Sequence, residues 1–346
     1  MSKNNQYKFS FGPWNISEGA DPYGPPSRPA QEFDWKLASL KKLGFDAMMF
    51  HDDDAVPDME SMSPEQIRKA AKELKRQLDD TGIIAEMVAP RLWFSPMTID
   101  GAYTSNDPKA RKYAIERSKK CIDIARALDT DLIVLWLARE GTYIRESKNC
   151  RTSTGYLVDA IDKMLAYDKK IRIAIEPKPN EPMDHAYIPT LGHAMAIAHQ
   201  TSDPKRVGGL VESAHAILAG LDPADEMEFA ISFGKLWSVH LNDQNGLKFD
   251  QDKPFGSNNL RSAFNQVRVL ERNRYGSKGE CVAFDVHSFR ATKTEHCVDH
   301  LGFSRDTFLR LVDKVRSFDE TKAQGLIAER DYQALDQMVI EHLLGK

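Results

Sequence analysis

Short clusters of acids and histidines recur along the 346-residue chain, and their residue types are those that hold hard divalent metal ions. The clusters are His51-Asp52-Asp53-Asp54, Glu176 with the run Pro177-Lys178-Pro179-Asn180-Glu181-Pro182, Glu212 with His215, His240 with Asn242 and Asp243, Asp250 with Asp252, and Asp285 with His287. Each has a plain alternative. Glu212 and His215 read equally well as a loop acid and a solvated histidine, Asp250 and Asp252 as turn formers, and Glu176 as a strand end before proline. Together they say more, because several carboxylates held close together take up protons unless a cation offsets their repulsion. Oxygen ligands with a few imidazole nitrogens suit Mg²⁺, Mn²⁺ or Co²⁺ better than a thiolate-rich zinc site. None of the four cysteines, Cys121, Cys150, Cys281 and Cys297, lies in these clusters.

The clusters follow short apolar runs at residues 7–11, 47–50, 83–88, 132–137, 171–175, 207–211, 236–241 and 281–286. Amphipathic helical pattern fills most of the intervals, for example residues 63–80, 107–128 and 153–167. Eight such alternations with near-continuous apolar strands predict an α/β fold, a parallel (β/α)8 TIM barrel with both strand faces buried. No glycine-rich nucleotide turn follows the first run, which argues against an open doubly wound sheet. The expected organisation is a barrel over residues 1–300 and a C-terminal helical arm over 301–346, packed on the barrel or on a neighbouring subunit. Barrel closure would carry the polar clusters to one mouth, at the C-terminal strand ends where this fold does its chemistry.

Hydrophobic residues make up 41% of the chain, enough for a core of this size, and the net charge of −4 gives no reason to expect nucleic acid or an anionic membrane as partner. No stretch approaches the roughly 20 apolar residues of a membrane span, and the cysteines lack CxxC spacing. A soluble cytoplasmic protein is expected.

At these residues the sequence resembles the D-xylose isomerase family, within the wider xylose-isomerase-like barrel superfamily. The resemblance spans most of the chain. It runs through Asp21-Pro22-Tyr23-Gly24, Phe50-His51-Asp52-Asp53-Asp54, Arg139-Glu140-Gly141, Ile175-Glu176-Pro177-Lys178-Pro179-Asn180-Glu181-Pro182, Lys248-Phe249-Asp250-Gln251-Asp252 and Phe284-Asp285. It implies an aldose–ketose isomerase that shifts a hydride between C1 and C2 of an open-chain monosaccharide, using two divalent ions and no organic cofactor. Carried over by position, Glu176, Glu212 and Asp285 match ligands of the first metal, with Glu212 bridging. His215, Asp250 and Asp252 match the remaining ligands of the second. Lys178 matches the lysine beside the carbonyl oxygen, and His51, oriented by Asp54, the pair that assists ring opening. Trp93 and Trp136 match the aromatic wall, and Trp14 is counted with them as substrate-binding. Tyr23 stands where the family has an aromatic residue that enters a neighbouring subunit's pocket, which implies a homodimer or homotetramer.

The sequence departs from the family pattern at four places. His240 stands where xylose isomerases have an aspartate ligand; L-rhamnose isomerases and ketose 3-epimerases use a histidine there, so His240 remains a metal-ligand candidate. Leu137-Ala138 replaces a double glycine. Ala89-Pro90-Arg91 replaces two threonines and an asparagine, with Arg91 expected to reach toward the sugar's far end. His287 replaces a lysine. These changes put D-xylose itself in doubt as the best substrate. The competing reading is a one-metal sugar epimerase of the same superfamily, using Glu176, Glu212, His240 and Asp285 alone. A barrel of another use, such as an abasic-site nuclease, is disfavoured by the lack of a basic face.

Overall fold

The computed structural model describes residues 7–345. Eight parallel strands close into a barrel: β1 (Lys8–Phe11), β2 (Ala47–His51), β3 (Ile84–Ala89), β4 (Leu132–Trp136), β5 (Arg172–Glu176), β6 (Val207–Glu212), β7 (Leu236–Leu241) and β8 (Cys281–Phe284). The strands pair in chain order, and β1 closes the ring by pairing with both β2 and β8. Each strand is followed by a helix on the outside: α1 (Phe33–Lys42), α2 (Pro64–Thr81), α3 (Pro108–Ala127), α4 (Cys150–Tyr167), α5 (Leu191–Gln200), α6 (Pro223–Ser232), α7 (Leu260–Arg272) and α8 (Asp299–Arg316). The expected (β/α)8 barrel is the observed fold.

Local sequence explains where the helices begin. Ser63 and Gln66 form a reciprocal capping box before Pro64, and Asp107 caps α3. Helix α4 starts three residues before the expected Ser153, because the Asn149 side chain accepts from the Thr152 amide and caps it there. Inside the barrel, Met49, Met87, Ala89, Leu132, Val134, Ala174, Leu210 and Ala283 form one buried cluster, with Trp14 and Trp237 packed against it. A larger apolar layer lies between sheet and helices. Strand β6 carries two glycines for steric reasons: a Cβ at Gly208 would stand 2.5 Å from the Trp237 ring, and one at Gly209 2.4 Å from Leu191.

The expected boundary at residue 300 falls inside α8. That helix covers the seam between β8 and β1, where Phe308 meets Phe284 and Phe9 edge-on at 6.5 and 5.7 Å, so the arm beyond the barrel starts after Arg316. Its two helices, α9 (Glu320–Glu329) and α10 (Tyr332–Leu344), lie on the chain's own barrel. Glu320 pairs with Arg268 at 2.6 Å, and His342 lies between the Phe264 and Phe318 rings at 6.1 and 5.2 Å. Among the described residues no helix is long and apolar enough to cross a membrane.

At the C-terminal mouth the loops are tied to one another. Gly141–Thr142 and His185–Ala186 form a small antiparallel ladder between the loops after β4 and β5. The Glu140 carboxylate accepts from the Ala102, Tyr103 and Thr104 amides at 2.9–3.0 Å and from the Thr104 hydroxyl, which adds the loop after β3. On the other side, Arg28 donates to the Phe289 and Thr292 carbonyls at 3.1 and 2.9 Å, joining the loop after β1 to the loop after β8.

Candidate active site

The side chains that leave the C-terminal strand ends converge on one cavity of about 370 Å³. Its walls include Trp14, His51, Trp93, Trp136, Glu176, Lys178, Glu212, His215, His240, Asp250, Asp252 and Asp285. Of the residues singled out in the sequence, Asp54 reaches the cavity through its neighbours His51 and Arg91, its Oδ2 lying 2.7 Å from His51 Nδ1 and its Oδ1 2.7 Å from Arg91 Nη2. Tyr23 does not reach it at all: it is 78% exposed on the rim and packs edge-on against Phe249 at 5.5 Å.

Glu176 ends β5 and Glu212 ends β6, while His240 points inward from β7 one residue before its end. His240 Nδ1 lies 3.6 Å from Glu176, 3.9 Å from Asp285 and 4.0 Å from Glu212. His215 Nε2 lies 3.0 Å from Asp250 and 3.3 Å from Glu212, and its Nδ1 3.6 Å from Glu176. Glu212, His240 and Asp285 offer ligand atoms within 4.8 Å of one another; so do Glu212, Asp250 and Asp252, and so do Glu176, Glu212 and His215. Glu212 belongs to all three sets.

The electrostatics are those of a site built around positive charge. Burial first, then the negative charges of Asp250, Asp252, Asp285 and Glu176, push Glu212 well above the usual carboxylate range. Burial and Asp250 raise Asp252 to about 6, although His287 opposes them. Burial pulls His240 down, but Glu176, Asp285 and Glu86 outweigh it and raise the imidazole to about 9. Lys178 is held above its ordinary value despite burial, because Asp250 stands 2.7 Å away and Glu181 3.4 Å. Both ring nitrogens of His240, Nδ1 of His215 and Oδ1 of Asp250 are buried without a hydrogen-bond partner among the described residues. Buried polar atoms are rarely left so. A donor set of carboxylate oxygens and imidazole nitrogens this close together fits divalent cations.

Other side chains hold this set in place, and three of them, Asn242, Asn15 and His287, had no assigned role in the sequence. Asn242, fully buried, donates through Nδ2 to Glu212 at 2.8 Å, to the Asp285 carbonyl at 2.9 Å and to Asp252 at 3.1 Å. It sits two residues after His240, the spacing that puts both on one strand face, and that spacing was its signal. Asn15 Nδ2 and Trp14 Nε1 both donate to Asp285 Oδ1, at 2.7 and 2.8 Å. His287 Nδ1 meets Asp252 at 2.9 Å. Arg91 lines the cavity and contacts acids: Nη2 lies 2.7 Å from Asp54, and Nε 3.2 Å from Asp53. Only the acidic run at 52–54 hinted at this. The wall opposite the carboxylates is aromatic, with Trp93 edge-on to Trp136 at 4.4 Å and His51 tilted on Trp14 at 4.2 Å.

A closed parallel barrel with a polar cavity at its strand C-termini is the architecture of barrel enzymes. The chain belongs to the xylose isomerase-like TIM barrel family, which residues 37–275 match. It is a divergent member: it is similar to the xylose isomerase of Thermus thermophilus at 33% identity over 320 residues, covering 91% of this chain and 81% of that protein. Two solved structures share the fold. A D-tagatose 3-epimerase-like protein matches with a TM-score of 0.64 at 17% identity, over 89% of this chain and 98% of the other. An L-ribulose 3-epimerase matches with a TM-score of 0.62 at 14% identity, over 90% and 96%.

Proposed function

We propose that the protein is a two-metal aldose–ketose isomerase acting on a monosaccharide. The observation that carries this reading is the pair of ligand sets that share Glu212: Glu212 with His240 and Asp285, and Glu212 with Asp250 and Asp252. The first, with Glu176, would hold one ion; the second, with His215, would hold the other. When bound, such ions supply Lewis-acid polarisation of a carbonyl and stabilise a neighbouring alkoxide. The likeness to xylose isomerases over most of the chain supports the same reading.

The chain's own residues do the rest. The net change breaks the C2–H bond, forms a C1–H bond with the same hydrogen and its electron pair, and transfers the O2 proton to O1. Lys178, buried and held cationic by Asp250 and Glu181, would add positive charge beside the developing negative oxygen at C1. Trp14, Trp93 and Trp136 cover the sugar's apolar face and keep water from the reacting carbons. Tyr23, on its rim loop, reaches the cavity of a second subunit in this reading.

The alternative is a one-metal epimerase that inverts a carbon beside a ketone by trading a proton between two acids. It leaves Asp250 and Asp252 without work, although both line the cavity. One labelled substrate separates the two. An aldose deuterated at C2, incubated with Mg²⁺, Mn²⁺ or Co²⁺, yields a ketose that keeps the deuterium at C1. Loss of the label to solvent, or inversion at C3 with no movement of the carbonyl, sinks the isomerase reading. The sugar panel run alongside reads the substrate: D-xylose is expected not to lead the other pentoses and hexoses tenfold in kcat/KM.

A further inference from the structure

We propose that Arg91 is a positioning residue that reverses the hydrogen-bonding polarity of His51, so that His51 meets the cavity as an N–H donor and not as a base. The argument starts from one atom. A neutral imidazole has a single in-plane site at Nδ1, which holds either a hydrogen or a lone pair. Two opposed groups approach that site on His51: the Asp54 carboxylate at 2.7 Å, which wants a hydrogen, and the Arg91 Nη2 at 2.6 Å, which has only hydrogens to give.

Counting partners decides between them. Arg91 Nη2 carries two hydrogens. One goes to Asp54 Oδ1 at 2.7 Å, and the other has no acceptor among the described residues except His51 Nδ1. Asp54 loses less, since its Oδ2 also accepts from the His51 amide at 3.3 Å and its Oδ1 keeps the arginine. A hydrogen on Nδ1 would set two N–H groups against each other at 2.6 Å and leave a half-buried guanidinium hydrogen facing no protein acceptor among the described residues. The lone pair at Nδ1 avoids both. Arg91 has no easy way out of this position: Asp53 lies 3.2 Å from Nε, and the Arg91 amide donates to Asp52 at 3.1 Å. The tautomeric hydrogen of His51 therefore sits on Nε2, which has no hydrogen-bond partner among the described residues, on a residue that lines the cavity.

In this state His51 binds an oxygen of the sugar and does not remove a proton from it. Ring opening then falls to water, or the substrate arrives in its open form. That role toward a sugar rests on the function proposed above; the tautomer does not.

Histidine-selective ¹⁵N labelling tests the tautomer. Long-range ¹H–¹⁵N correlations are recorded at pH 8.5, above the ordinary imidazole range, with the His51→Gln variant assigning the signal. The expected wild-type pattern is a protonated Nε2 and a lone-pair Nδ1, exchanging places in Arg91→Leu. A wild-type spectrum with hydrogen on Nδ1 overturns the proposal even if the variant does not fold, and so does an unchanged tautomer in a folded Arg91→Leu. Activity gives a second readout. The kcat/KM profile of the wild type is expected to lack an acid limb that depends on His51, and Arg91→Leu to gain one. If no sugar is isomerised at all, the proposed function fails while the spectra still decide the tautomer.

Discussion

His240 brings a neutral-capable ligand to a place already crowded with negative charge, and its titration should be visible when a cation binds. With His240 raised to about 9, its imidazole carries a proton at pH 7, and burial with the surrounding carboxylates pushes Glu212 toward its protonated form. Ligation needs a neutral imidazole and an ionised carboxylate, so a divalent ion must displace these protons. The sign follows: Mn²⁺ binding at pH 7 releases protons, and affinity falls as pH is lowered. Calorimetric titration in two buffers of different ionisation enthalpy checks this; equal heats in both would contradict it. In the cation-free protein the stability contributed by charged His240 is full below about 6.5 and is lost as pH rises through about 9. Lys178 has a separate role, and Lys178→Met is expected to keep Mn²⁺ binding while lowering kcat by on the order of a hundredfold. His51→Ala is expected to be milder, because ring opening also proceeds in water. Equal losses at the two positions would count against this division. Residue types and order made most of the candidate ligands legible in the sequence. The Arg91 contacts were not, since an arginine's partner depends on how β2 and β3 lie side by side.

Strand register carries the candidate ligands to one place, and the glycines of β6 make that register possible. The expected apolar runs fall within a residue or two of the eight observed strands, because a parallel barrel buries both strand faces and leaves an uninterrupted apolar signature. Less legible was the irregular pairing of β2 with β3, where the register shifts between Met48 and Phe50. The two-residue ladder at Gly141–Thr142 was also beyond reach, being too short to leave a pattern. Gly208 offers a direct test at this scale. A methyl there would press on the Trp237 ring from 2.5 Å. Gly208→Ala is expected to cost about 1–3 kcal/mol of stability by overpacking, read as a lower Tm in calorimetry. An unchanged Tm would mean that the indole has room to move.

At the scale of the molecule, the mouth of the barrel is ringed by exposed apolar side chains: Tyr23, Phe94, Met97, Ile99, Leu247 and Phe289 are each more than half exposed. A rim of this kind is suited to being covered. Our reading of Tyr23 as a contributor to a second subunit's cavity predicts a dimer or tetramer in sedimentation, and a Tyr23→Ala variant with a raised KM. A fully active monomer rules it out. The C-terminal arm was legible as helical but not in its placement, because amphipathic helices do not announce which surface they will cover. Here the surface is the chain's own α7, through Arg268 and Glu320, and α8, through Lys314 and the His342 carbonyl.

The ties among the mouth loops have a mechanical consequence. Glu140 and the short ladder bind the loops after β3, β4 and β5 into one piece, whereas Arg28 binds the loops after β1 and β8 into another. Two jaws result, and the cavity at the strand ends lies at their meeting. Amide hydrogens at Ala102, Tyr103, Thr104 and Tyr187, the last donating to the Glu140 carbonyl, should therefore exchange with deuterated solvent at one common rate, set by the opening of a single jaw. Glu140→Gln removes the charge that gathers three of those amides. It is expected to let the 102–104 segment exchange well ahead of Tyr187, turning one stiff jaw into two loosely connected flaps.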